Sequence, residues 1–132
     1  MMKTLLPAFL MLMLLVAICG GAAGMAAADE IVPGLPVQGT VTMVDLGAKT
    51  CVPCKMMAPI LEELKAEYQG RAAVVFIDVW DQANAGKAKA FKVTTIPTQI
   101  FFDRHGKEAF RHVGFFDKAS IAAKLEALLA QP

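Results

Sequence analysis

Two cysteines separated by two residues, Cys51 and Cys54 in the run KTCVPCK, carry the most direct chemistry in this sequence. Thiols at that spacing can ligate a metal, staple a fold, or exchange electrons with another disulfide. A zinc site needs two further ligands, and the chain's two histidines, His105 and His112, stand wider apart than the H-x3-5-H spacing of zinc sites. A structural staple across so short a loop constrains the unfolded chain little. Exchange fits the spacing better: one thiolate attacks a partner disulfide, and the second, held close by, resolves the mixed disulfide.

The surrounding elements decide whether the pair is placed for that work. VTMVDL, residues 41–46, reads as a buried strand ended by Gly47, with Asp45 as the one charged residue inside it. From Cys54 to Tyr68, apolar Met57, Ile60, Leu61 and Leu64 recur at helical spacing, giving an amphipathic helix that Pro59 should kink and Gly70 ends. Cys51 therefore falls at a helix N-terminus, where the macrodipole favours a thiolate, with Lys49 and Lys55 adding positive charge. Pro53 suits the first turn, whose amides lack intrahelical partners. Desolvation inside an apolar strand should raise the pKa of Asp45.

Further along, residues 72–79 read as a second apolar strand, 84–93 as a lysine-rich helix and 98–103 as a third strand. Residues 107–114 form the return strand of a hairpin across the turn 103–106, and 117–130 a closing helix capped by Asp117. The order implies a mixed α/β sheet covered by helices, its first two strands parallel. Trp80 is expected to be a packed loop aromatic, and Met56 and Met57 core residues rather than ligands. Lysines 87, 89 and 92 form a solvated helix face.

Lys3 is the lone charge before Asp29, and an apolar run follows it that ends in small residues. This is the profile of a signal peptide over residues 1–28, cleaved after Ala28, then a lead-in over 29–40 and the domain proper over 41–132. An uncleaved membrane anchor and lipid attachment at Cys19 are the alternatives. Each carries the domain out of the reducing cytoplasm, to the periplasm or its equivalent. Lys3 set aside, 12 basic residues balance 12 acidic ones, a charge that gives nucleic acid no electrostatic footprint.

The runs VDLGAKTCVPCKMMAPILEEL and VTTIPTQIFFDRHGKEAFRHVG resemble the thioredoxin family, in particular its secreted or membrane-tethered bacterial thiol:disulfide reductases, over residues 41–130. The resemblance implies the thioredoxin fold. It implies a nucleophile at Cys51, a resolving thiol at Cys54, a cis-proline at Pro97, and at Asp45 a buried carboxylate that takes a proton from Cys54 near neutral pH and passes it on through water. Cis geometry at Ile96-Pro97 would expose the backbone of Ile96 to an extended client segment, which could pair as an added strand. Val52, Pro53, Ile96 and Pro97, with Gly114 and Phe115 beside them, would form the client surface. No cofactor is implied beyond the cysteine pair. The implied partners are disulfide-containing proteins such as apocytochrome c and a membrane protein relaying reducing equivalents, the enzyme itself being a monomer.

Three positions depart from the family pattern. Thr50 replaces the tryptophan before the first cysteine, Val52 replaces the glycine after it, and Phe76 stands where a lysine often faces the buried aspartate. A disulfide-donating oxidase or isomerase, and a redox-inert binding module on the same fold, are the competing readings.

Overall fold

A computed structural model describes residues 31–132. Four strands, β1 (Val41–Gly47), β2 (Ala72–Asp78), β3 (Thr98–Phe102) and β4 (Glu108–Val113), form one sheet in the order β2-β1-β3-β4. β1 runs parallel to β2 and antiparallel to β3, and β3 and β4 pair as an antiparallel hairpin. The parallel pair requires a crossover, supplied by helix α1 (Val52–Glu67). Every residue of β1 is buried, as its near-continuous apolar sequence demands of a central strand covered on both faces.

The pleat sorts side chains to two cores. On one face Val41, Met43, Val74 and Phe101 meet Met57, Leu61 and Leu64 of α1 and Ile121, Leu125 and Leu128 of helix α3 (Lys118–Leu129). On the other face Val44, Leu46, Ile77, Ile100 and Phe102 pack with Phe91 and with Val32 of the lead-in. Residues 45, 47 and 99 share the parity of the first group, so their side chains belong beneath α1.

α1 begins at Val52, two residues before the expected start, with Pro53 in its first turn, and it continues through the exposed Pro59 to Glu67. The expected helix over 84–93 does not form as one element. A 3-10 turn at Gln82–Asn84 gives way to Gly86 at φ 83°, and only Lys87–Ala90 (α2) is helical. The reason is packing: Phe91 is the one fully buried side chain of this stretch, with Val93 half-buried beside the same core, and without an apolar stripe nothing holds a longer helix together. Asp117 caps α3 as expected, accepting from the Ser120 amide at 2.9 Å and the Ser120 hydroxyl at 2.7 Å. Among the described residues no helix is long and apolar enough to cross a membrane. The signal-peptide segment, Cys19 and the cleavage site lie outside them.

Candidate active site

Cys51 and Cys54 are joined by a disulfide across the β1–α1 junction. Cys51 is the N-cap residue of α1, with extended backbone, and its Sγ accepts the Cys54 amide at 3.4 Å. That amide belongs to the first helical turn, which has no intrahelical acceptor, so the sequence places a donor at the sulfur that would carry charge. The two sulfurs differ in access: Cys51 is half-buried, whereas Cys54 is only 3% exposed.

Cys54 fits because β1 ends in glycine. A Cβ built on Gly47 would lie 3.2 Å from Cys54 Sγ and 3.1 Å from the Phe76 ring. The buried thiol therefore sits directly over residue 47. Asp45 is two residues earlier on the same side of the strand, about 7 Å along it at the usual rise per residue. It is fully buried, and burial pushes its carboxyl up to about 6, partly opposed by a hydrogen bond from Gln99. Gln99 Nε2 donates to Asp45 Oδ1 at 2.7 Å, whereas Asp45 Oδ2 and Gln99 Oε1 have no hydrogen-bond partner.

The register sets Phe76, Asp45, Gln99 and His112 side by side across all four strands. Phe76 thus occupies the neighbouring-strand position inferred from the sequence, and a ring borders Asp45 where a cation could have stood. A cleft of about 180 Å³ opens beside Cys54, between Phe76 and the α1 residues Ala58 and Leu61, with Lys49, Lys55 and Glu62 around it. It has room for several water molecules.

Val52 projects from the helix start and is 71% exposed, with Pro53 half-buried beside it. Ile96 is half-buried, Pro97 is buried, and the peptide between them is cis. The Gly114 amide donates to the Pro97 carbonyl at 2.8 Å, which ties the end of β4 to this turn. Val113 and Phe115, 54% and 42% exposed, flank that tie.

Two expectations fail. Trp80 is 63% exposed rather than packed, because Asp78 Oδ1 accepts the Trp80 amide at 3.0 Å in a tight turn that leaves the indole outside. Met56 is 55% exposed: Cys54, Met57, Leu61 and Leu64 take the inward face of α1, and Met56 lies off it. Met57 is buried as expected. His105 lies in a turn and His112 on a strand, and among the described residues no cluster of three His, Cys, Asp or Glu side chains forms. Sequence reasoning gave Gly47 only as the end of a strand and passed over Gln99. The signal for Gln99 was available: it is an uncharged polar residue inside the apolar run TQIFF, the same anomaly that singled out Asp45.

A family model described as Thioredoxin matches residues 35–127. The thioredoxins of Staphylococcus saprophyticus and Staphylococcus aureus are each 41% identical to this chain over 90 residues, 68% of this chain and 84% of theirs. Among solved structures, chloroplastic thioredoxin z superposes with a TM-score of 0.64 at 29% identity, over 74% of this chain and 86% of that one.

Proposed function

Because the chain belongs to the thioredoxin family of thiol–disulfide oxidoreductases, we propose that it works outside the cytoplasm as a reductase of protein disulfides, with Cys51 attacking and Cys54 resolving. The observation that carries the assignment of roles is the asymmetry of the pair. Cys51 is open to a partner and receives a helix-start amide, whereas Cys54 is enclosed above Asp45's face of β1.

In the reduced enzyme the Cys51 thiolate attacks one sulfur of a client disulfide. A mixed disulfide forms, and the other client sulfur leaves as a thiolate that takes a proton from solvent. Cys54 then gives its proton, through water, to Asp45, and its thiolate attacks Cys51 Sγ. The Cys51–Cys54 bond forms, the mixed disulfide breaks, and the second client thiolate departs. Two electrons have passed from enzyme to client, with the cysteine pair as the whole redox centre.

Val52, Pro53, Ile96 and Pro97, flanked by Val113 and Phe115, supply a mostly apolar surface for varied clients. Among the described residues none hydrogen-bonds to the backbone of Ile96, which supports pairing with an extended client segment there. The apolar leader supports export. An exported reductase needs a continuing electron source, and a membrane relay fed from cytoplasmic thioredoxin supplies one. Apocytochrome c and damaged exported proteins are suitable clients.

Two measurements test this reading. Cys51→Ser should abolish insulin disulfide reduction, and Cys54→Ser should accumulate mixed disulfides; full activity in both variants would refute the exchange mechanism. An equilibrium potential near about −270 mV, as for thioredoxin, fits a reductase, whereas one near about −120 mV would make the protein a disulfide donor.

A further inference from the structure

Gln99 has no role in the scheme above, yet it is one of four polar side chains buried among the described residues, with Asp45, Thr42 and Thr98. Thr42 and Thr98 are satisfied by nearby backbone: their hydroxyls donate to the Thr40 and Thr95 carbonyls. Gln99 makes its side-chain bond to Asp45 alone, directly across the β1–β3 pair. A fully buried amide is costly unless it is bonded. An apolar residue of similar length would fill the space without that cost.

What distinguishes a glutamine from a lysine or a leucine at this place is that it donates a hydrogen bond without carrying a charge. With Asp45 ionised, Nε2 donates to Oδ1, the arrangement observed. With the proton on Oδ2, Oδ1 is the carbonyl oxygen of a neutral acid and still accepts from Nε2, so the bond survives the transfer. A lysine would bring a cation that favours the ionised form, and a leucine would hold neither.

We propose that Gln99 is a positioning residue for the exchange reaction: its amide holds the Asp45 carboxyl in both protonation states, leaving Oδ2 as the atom that receives and returns the Cys54 proton. This rests on the reading of Asp45 as proton acceptor. The free Oδ2, with no partner of its own, is the atom available for that transfer.

The other groups around Asp45 do not duplicate this task. β2 presents Phe76, and α3 turns Ile121, Leu125 and Leu128 inward. α1 brings Cys54, the proton donor itself, while Lys49, Lys55 and Glu62 border the cleft. His112 lies on the far side of Gln99, where its ring stacks on Phe116 at 4.1 Å and its Nε2 bonds the Phe115 carbonyl.

The test follows the Asp45 carboxyl by carbon NMR in the oxidised protein, its resonance identified by loss in Asp45→Asn, alongside the rate of mixed-disulfide resolution as a function of pH. In Gln99→Met, which keeps length and removes hydrogen bonding, the Asp45 midpoint should rise by about one pH unit, since a bond to a charged acceptor is lost. At pH 6 a carboxyl that is half ionised would become about one-tenth ionised, so resolution should slow roughly fivefold there and recover above pH 8. A merely structural Gln99 would alter stability and leave both midpoints where they were.

A folded Gln99→Met protein with an unmoved carboxyl midpoint and rate profile overturns the role of Gln99. In the wild-type protein, which needs no substitution, the Gln99 side-chain amide resonances should shift at the Asp45 midpoint, and their constancy through that range overturns it equally. If Asp45→Asn leaves the rate profile in place, the acceptor role of Asp45 falls and the proposal with it. If Asp45→Asn removes the pH dependence and Gln99→Met does not move it, only the role of Gln99 falls.

Discussion

Replacing Asp45 with asparagine should make the protein more stable at neutral pH, by an amount that disappears in acid. The folded chain holds the Asp45 proton up to about pH 6, whereas the unfolded chain releases it near the ordinary value of 3.8. Between those limits the folded state binds more protons than the unfolded one, so stability falls as pH rises. At about 1.4 kcal/mol per pH unit the loss amounts to roughly 3 kcal/mol once both limits are passed. That is a sizeable share of the 5–15 kcal/mol typical of a domain. Asparagine is neutral throughout and escapes it. The assay is urea unfolding of the oxidised wild-type and Asp45→Asn proteins at intervals from pH 4 to pH 8. The stability difference, variant minus wild type, should climb by about 2.5 kcal/mol across the series, an offset of roughly 1.2 M in midpoint at a slope of about 2 kcal/mol per M. Any fixed packing cost of the substitution shifts every point equally and leaves the climb intact. A difference that stays level with pH, or one that falls, would refute the claim that burial dominates the carboxyl's environment.

Gly47→Ala should destabilise the fold by about 1–3 kcal/mol in denaturant titration, because the added methyl meets the Phe76 ring and the Cys54 sulfur and one of them must move. The same variant should change the alkylation rate of Cys54 in the reduced protein. Phe101→Ala should cost about 3–5 kcal/mol by the same titration, since that fully buried ring sits against Phe110 and Phe116, at centroid distances of 5.7 and 6.4 Å.

The outline of this fold was readable because its central features are written locally. The apolar run of β1, the spacing of Met57, Leu61 and Leu64, and the capping Asp117 each declare an element within a few residues. The cysteine pair and Asp45 were visible for the same reason, one as a spacing and the other as a charge in the wrong company. The broken second helix was missed because lysines and alanines at 84–93 satisfy helical propensity while only Phe91 and Val93, at its end, reach the core, and tertiary packing decides such cases. Trp80 was misplaced because an aromatic's hydrophobicity says nothing about an Asp78 turn that directs it outward. Gln99 acquires meaning only through the register between β1 and β3, residues 54 apart in the chain. No local pattern encodes that pairing.

Asp45, Gly47, Cys51 and Cys54 all lie within ten consecutive residues of one strand–helix junction. The exposed side chains around Pro97, by contrast, come from the β3 entrance and the β4 exit, far downstream in sequence and tied back by the Gly114–Pro97 hydrogen bond. Under the proposed function the client surface is thus split, Val52 and Pro53 lying between the cysteines themselves and the rest on a separate stretch of the chain. Substitutions at Val113 or Phe115 can retune which proteins dock, in size or in charge, while the buried junction that sets the reactivity of the sulfurs is carried forward unchanged.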